Sequence, residues 1–272
     1  IMTFVYSFPF LKTDKVIFNL SLLSLVLVIF EGWLGSIVVS TNLLPAMVTV
    51  HMGISLILVG ILIYVAMRSK PLNVVTTIER SGSNKINMIL VFLIAITFIQ
   101  ILLGTQIRES VDQVAFQNDY LDRNSWLNQD MQTFHFHKLI AGLILLVHAA
   151  LLWLVYKNEG GVSKLTKICV LLTSLVVLEI LSGSILGWFG LPAFVQPFHL
   201  TIASMVLGCQ LIVFFALRFS QKSKKLYHCK GACTTCFSSA VAYRCMYFCR
   251  SASLSPTGRL MRSANCSNPS WC

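Results

Sequence analysis

Residues 31–51, EGWLGSIVVSTNLLPAMVTVH, and residues 179–199, EILSGSILGWFGLPAFVQPFH, carry one pattern twice. Glu31 and His51 recur 148 residues later as Glu179 and His199, and Gly35, Ser36 and Ile37 recur as Gly183, Ser184 and Ile185. Neither stretch contains Lys, Arg or Asp. An ionisable group is costly in hydrocarbon, so a glutamate and a histidine repeated at one spacing within apolar sequence mark a function. Repetition at a fixed offset also marks a duplicated membrane unit.

Composition sets the class. With 272 residues, 56% hydrophobic and 11% charged, the chain has too little polar surface for a soluble domain of its size. Six apolar segments reach the roughly 20 residues that a helix needs to cross a hydrocarbon core: residues 16–39, 47–67, 86–107, 136–156, 167–189 and 197–218. The expected fold is therefore an all-α membrane protein with six complete transmembrane helices. Residues 1–10, IMTFVYSFPF, are apolar but too short to span, and read as the tail of a further helix.

Charge orients the segments. The link after the second carries Arg68, Lys70, Arg80 and Lys85, and the link after the fourth carries Lys157, Lys164 and Lys167. These links, with Lys12, Lys15 and the run from Arg218 to Lys225, are expected on the cytoplasmic or matrix side. The uncharged links between the first and second and between the fifth and sixth segments face the other side. So does the long link holding Glu109, Asp112, Asp119, Asp122 and Asp130. On this topology His51, His137 and His199 each fall in the first turns of a helix that starts at the outer surface, and share one depth.

The offset continues beyond the motif. Residues 149–158, AALLWLVYKN, align with the opening IMTFVYSFPF, so the counterpart of the fourth segment is expected to end near Phe10. The partner of His137 would then lie 11 residues before Ile1. The chain reads as the remnant of an eight-helix protein made of two four-helix pseudo-repeats. Residues 1–68 would be a truncated first half, 69–85 a cytoplasmic or matrix-side loop, and 86–218 the second half.

Two histidines on facing helices suit axial ligation of haem iron. A neutral imidazole offers a nitrogen lone pair without adding charge to a site of low dielectric. The plainer alternative is an interhelical hydrogen bond. Agreement of depth, helix start and repeat favours His137 and His199 as an axial pair, with His51 similar in kind but without a partner in this chain. His135 lies two residues from His137, about 200° around a helix, and cannot face the same iron. His148 lies about 16 Å deeper by helical rise and reads as a satisfied interior histidine rather than a ligand. Glu31 and Glu179 each precede a glycine by four residues, which puts acid and gap on one helix face. Two readings stand for them: a proton relay or contact to a haem substituent, and a structural hydrogen bond to the neighbouring helix. Arg108 ends the third segment where it could meet a haem propionate.

The segments EGWLGSIVVSTNLLPAMVTVH, FHFHKLIAGLILLVH and GSILGWFGLPAFVQPFHLTIAS resemble the haem A synthase family, which converts haem O to haem A for cytochrome oxidase assembly. The resemblance covers residues 1–218 and rests on uncharged Leu-Pro links followed by a histidine. It implies eight transmembrane helices in two halves with a histidine pair in each. His137 and His199 would hold a haem b in the second half, and His51 would belong to the pair at the substrate haem O. The family's basic residue after the ligand histidine stands here as Lys138. A glutamate three residues before the first-half ligand is associated with catalysis in the family; its place precedes Ile1, and its second-half counterpart is Phe134. Glu31 is the remaining acidic candidate. A pocket lacking one axial ligand, two helices and that acid is not expected to turn over, so the implied function is that of the parent protein. The implied partners are the lipid bilayer, haem O and haem A, with haem O synthase or oxidase assembly factors. The implied location is a bacterial plasma membrane or the mitochondrial inner membrane.

From Lys222 to Cys272 there is no Asp or Glu, and the stretch holds eight Lys or Arg and seven of the nine cysteines. Cys229, Cys233 and Cys236 beside His228 have loose zinc-site spacing, but the ligand pattern is incomplete. Residues 219–272 read more readily as non-native or disordered sequence, of the kind a shifted reading frame produces. Most of the net charge of +11 comes from this tail, so the basic balance does not imply nucleic-acid binding. Two rival functions remain. A dihaem membrane electron carrier fits paired histidines equally well. A transporter fits the repeat with buried acids, although Pro45, Pro192 and Pro197 sit in links or at helix ends rather than inside helices.

Overall fold

A computed structural model describes residues 1–41, 44–70, 80–117, 119, 131–161 and 163–234. Among them there is no strand. The elements are α1 (Met2–Val5), α2 (Phe10–Thr13), α3 (Lys15–Ser40), α4 (Pro45–Ser69), α5 (Arg80–Gln117), α6 (Met131–Glu159), α7 (Lys164–Trp188) and α8 (Val195–Thr234). Six of these, α3 to α8, contain stretches long and apolar enough to cross a membrane. They match the six segments of the sequence one for one, and the chain is a multi-pass, all-helical membrane protein.

The helix ends follow local chemistry. Asp14 caps α3, its Oδ1 accepting the Val16 amide at 3.1 Å, and Ser163 caps α7, its Oγ accepting the Thr166 amide at 3.0 Å. Pro45 opens α4, where its missing N–H removes a donor that would be unpaired in any case. α5 runs past both ends of the expected 86–107, because a helix satisfies its own backbone whether or not lipid surrounds it. The Arg108 to Asp112 ion pair, 2.8 Å at i,i+4, supports its C-terminal extension.

At the start, one continuous helix ending near Phe10 gives way to α1, a turn, and α2. Pro9 has no amide to bond the Val5 carbonyl four residues back, and Phe8 donates to that carbonyl instead, at 3.4 Å. The rings of Phe4, Phe8 and Phe18 cluster at 5.2 to 5.8 Å and seat this segment on α3.

Helices α3 and α4 pack as neighbours, as do α5 with α6 and α6 with α7. Leu90 and Leu93 of α5, Leu151 and Val155 of α6, Leu172 of α7 and Leu217 of α8 form the largest buried cluster. A smaller one joins Leu56 of α4, Ile101 of α5 and Leu207 of α8. Large apolar side chains such as Trp33, Leu146, Trp153 and Trp188 point outward, which suits lipid.

The link from α7 to α8 turns through Gly190 at φ 62° and Leu191 at φ 59°. A positive φ is natural for glycine and strained for leucine. Leu191 is held there from both sides: its amide donates to the Leu186 carbonyl at 3.0 Å, and its carbonyl accepts Gln196 Nε2 at 2.8 Å. The link thereby sets where α8, and with it His199, begins.

The chain divides into two compact units, Ile1–Ser220 and Gln221–Cys272. The first holds everything above. In the second the described residues are the end of α8 as far as Thr234; the remainder of the cysteine-rich tail lies outside the described residues, as do residues 71–79 and 120–130.

Candidate functional site

The repeated glutamate and histidine meet in both copies. His51 Nδ1 on α4 lies 2.8 Å from Glu31 Oε2 on α3, and His199 Nδ1 on α8 lies 3.0 Å from Glu179 Oε1 on α7. Each acid thus stands against a histidine of the neighbouring helix, and that partner is in each case a candidate ligand histidine. Both contacts are close without hydrogen-bond alignment. Glu31 is buried, with 8% of its surface exposed, so its carboxyl group depends on these few partners.

Each pair has a serine, supplied from a different side. In the first copy Ser55, one turn beyond His51 on α4, donates to Glu31 Oε2. In the second Ser182, three residues beyond Glu179 on α7, lies 2.8 Å from His199 Nδ1 and donates to the Glu179 carbonyl at 2.9 Å. Position 55 has no serine counterpart at the 148-residue offset, and neither does 182. The sequence therefore gave no signal for either.

Glycines make room for the rings. A Cβ on Gly183 would lie 3.0 Å from His199 Cε1, one on Gly35 3.6 Å from His51 Cε1, and one on Gly104 of α5 3.6 Å from His137 Cε1. The repeated glycine thus sits against the repeated histidine in both copies.

His137 enters from α6. Its carbonyl accepts Gln100 Nε2 of α5 at 2.8 Å, and its buried Nδ1 has no hydrogen-bond partner. Gly104 of α5 stands beside the His137 ring as Gly183 of α7 stands beside that of His199, and no described hydrogen bond joins His137 to His199. No described contact joins His51 to either. His135 is exposed and lines an open apolar groove of 340 Å³ with Gln132, Phe136 and Leu139. Lys138 Nζ stands 4.4 Å over the Phe134 ring, and the tip of that ring abuts Gly187.

His148 is buried in a separate polar cluster. Its Nδ1 bonds the Ile144 carbonyl at 2.8 Å, and its Nε2 lies 3.2 Å from Gln210 Nε2, which also donates to Thr97 Oγ1 at 2.9 Å. With Nδ1 carrying the proton, Nε2 accepts from Gln210, and both ring nitrogens are engaged. Arg108 pairs with Asp112 and bonds Gln196 of α8, so its charge is already committed within the protein.

Among the described residues no three or more His, Cys, Asp or Glu side chains gather as a metal cage. A haem iron needs no such cage, because the porphyrin supplies four ligands and the protein two. Among the described residues no hydrogen bond is made to Nε2 of His51, His137 or His199, and the donor chemistry fits axial haem ligation.

No curated protein and no solved structure matches the chain. The model of the COX15-CtaA family, described as cytochrome oxidase assembly protein, matches residues 1–211. That span takes in both glutamate–histidine pairs and His137, and the chain belongs to this family, the haem A synthase family of cytochrome oxidase assembly proteins.

Proposed function

We propose that the protein is a haem A synthase, oxidising the haem O methyl group to a formyl group, with His137 and His199 as axial ligands of a haem b. The observation that carries the reading is that His137 of α6 and His199 of α8 each stand against a helix glycine, Gly104 and Gly183, with no hydrogen bond at Nε2 among the described residues, within a chain whose family serves cytochrome oxidase assembly. Each imidazole offers Nε2 as a neutral donor, so the pair adds no charge to an apolar site. Gly104 and Gly183 leave space beside the two rings, and Ser182 with Glu179 holds Nδ1 of His199. A haem b bound there supplies reversible one-electron chemistry at iron. His51, held by Glu31, is the residue of the first half that would bind the substrate haem.

The test is a pyridine haemochrome assay on the purified chain and on the parent protein, with extraction of haem from cells that express the parent and supply haem O. Haem b bound at one site and the appearance of haem A support the reading. Haem b with no haem A under any supply favours a membrane electron carrier, for which the same histidine pair would serve.

A further inference from the structure

We propose that Glu31 and Glu179 are positioning residues that keep the proton of His51 and of His199 on Nδ1, so that each ring presents Nε2 as its ligand nitrogen. The haem-facing half of this statement rests on the haem reading above; the proton placement does not.

Three observations converge. First, the contact is made twice, between residues at one offset, and to the same ring atom: Nδ1 meets the carboxyl group in both copies. Two unrelated helix-to-helix contacts have no reason to choose the same nitrogen. Second, Ser182 suits that direction: its hydroxyl can donate to the Glu179 carbonyl at 2.9 Å while accepting from His199 Nδ1 at 2.8 Å. Third, one carboxyl oxygen of each glutamate is left over. Glu31 Oε1 and Glu179 Oε2 are buried without a hydrogen bond, and Ser55 steadies the oxygen of Glu31 that faces His51.

Which nitrogen of a neutral imidazole is free for a metal is set by the bond the other one makes. A carboxyl group or carbonyl on the second nitrogen holds the ring orientation and raises the basicity of the ligand nitrogen. The serines show what has been preserved. The repeat keeps the Glu–His contact, while the hydroxyl beside it comes from α4 in one half and α7 in the other. The hydroxyl comes from a different helix in each half, and the approach of carboxyl group to Nδ1 is the same in both.

The experiment uses the full chain in lipid nanodiscs, loaded with haem b, comparing the parent with Glu179→Leu, Ser182→Ala and His199→Ala. Glu179→Leu is expected to weaken haem binding by about 10- to 100-fold and to raise the midpoint potential, because the ligand becomes a poorer donor to ferric iron. A tenfold loss confined to the ferric state equals a rise of about 59 mV for a one-electron couple. A glutamate that only ties α7 to α8 would lower thermal stability and leave the potential of the loaded fraction unmoved, and that result overturns the positioning role. Haem retained by His199→Ala overturns the ligand reading instead.

Nitrogen NMR of the histidine-labelled chain without added haem decides the proton placement separately. Nδ1–H is expected at His51 and His199, lost at His51 in Glu31→Leu and at His199 in Glu179→Leu. A proton on Nε2 in the parent, or no response to either variant, overturns the proposal.

Discussion

Glu179 Oε1 stands 3.0 Å from His199 Nδ1, while a Cβ placed on Gly183 would stand 3.0 Å from Cε1 of the same ring. One face of α7 therefore both holds the imidazole and yields space to it. In the first half the equivalent space is wider, 3.6 Å between a Cβ on Gly35 and His51 Cε1. The two glycines of the repeat should thus respond with opposite sign. Gly35→Ala makes an ordinary contact and relieves the cost of glycine within a helix, a gain of roughly 0.5 to 1 kcal/mol. Gly183→Ala drives a methyl into a ring pinned by Ser182 and Glu179, a loss of about 1 to 3 kcal/mol. Thermal unfolding of the two variants in detergent measures both, and equal responses would count against the ring placement.

The histidine series separates the ligands. If His137 and His199 are the axial pair, replacing either by Ala abolishes a low-spin b-type spectrum. His135→Ala leaves that spectrum nearly intact, since His135 is exposed on the far side of α6 beside Leu139. Optical spectra of the three purified variants give the answer, and a spectrum lost with His135 and kept without His137 would reverse the assignment.

The six spans and the Glu–His repeat were legible in the sequence because both are written locally, as apolar length and as identical spacing. What the glutamates touch was not. An i,i+4 glycine places an acid on a helix face but says nothing of the atom opposite, which belongs to another helix. Ser55 and Ser182 were invisible for a sharper reason: they do similar work from non-equivalent positions, so the repeat that exposed the glutamates concealed the serines. The positive φ of Leu191 was equally hidden, because Gly-Leu-Pro announces a turn without specifying which residue carries the strain. Asp14 and Arg68 lie 54 residues apart, and charge asymmetry set both segment ends on one side of the membrane without joining them.

His148 provides a control for the ligand assignment. Its two nitrogens bond the Ile144 carbonyl and Gln210 Nε2 across α6 and α8. His148→Leu should leave any haem spectrum unchanged and lower stability by about 0.6 to 1.7 kcal/mol, the range for interhelical hydrogen bonds in membranes. Gln210 keeps Thr97 as a partner in that variant, which holds the loss to this range. A double-mutant cycle of His148→Leu with Gln210→Leu measures the coupling between them. Loss of the spectrum in the single variant would make His148 a ligand.

The final prediction concerns the end of the α3–α4 pair where Asp14 meets Arg68. Arg68 Nε and Nη2 reach Asp14 Oδ2 and Oδ1 at 2.7 and 3.2 Å, a two-point bond between the start of α3 and the end of α4, and Arg68 Nη1 also meets Tyr64 Oη at 3.1 Å. The Arg68 guanidinium beside Asp14 holds its carboxyl group below the usual value of 3.8. A carboxyl group whose folded pKa is depressed stabilises the fold above its unfolded pKa of about 3.9, and that stabilisation is lost as pH falls through the lower, folded value. Asp14→Asn keeps a side-chain oxygen to cap α3 and removes the charge. It should cost up to about 1 kcal/mol at neutral pH, the upper end for a partly exposed pair with good geometry. Asp14→Ala should cost roughly 0.5 to 2 kcal/mol more, because the cap on Val16 is lost as well. Unfolding followed from pH 7 downward should show the gap between parent and Asp14→Asn constant to about pH 4 and closing below it. A gap unchanged in strongly acidic solution would mean that the carboxylate charge contributes nothing, and that Asp14 serves α3 by its cap alone.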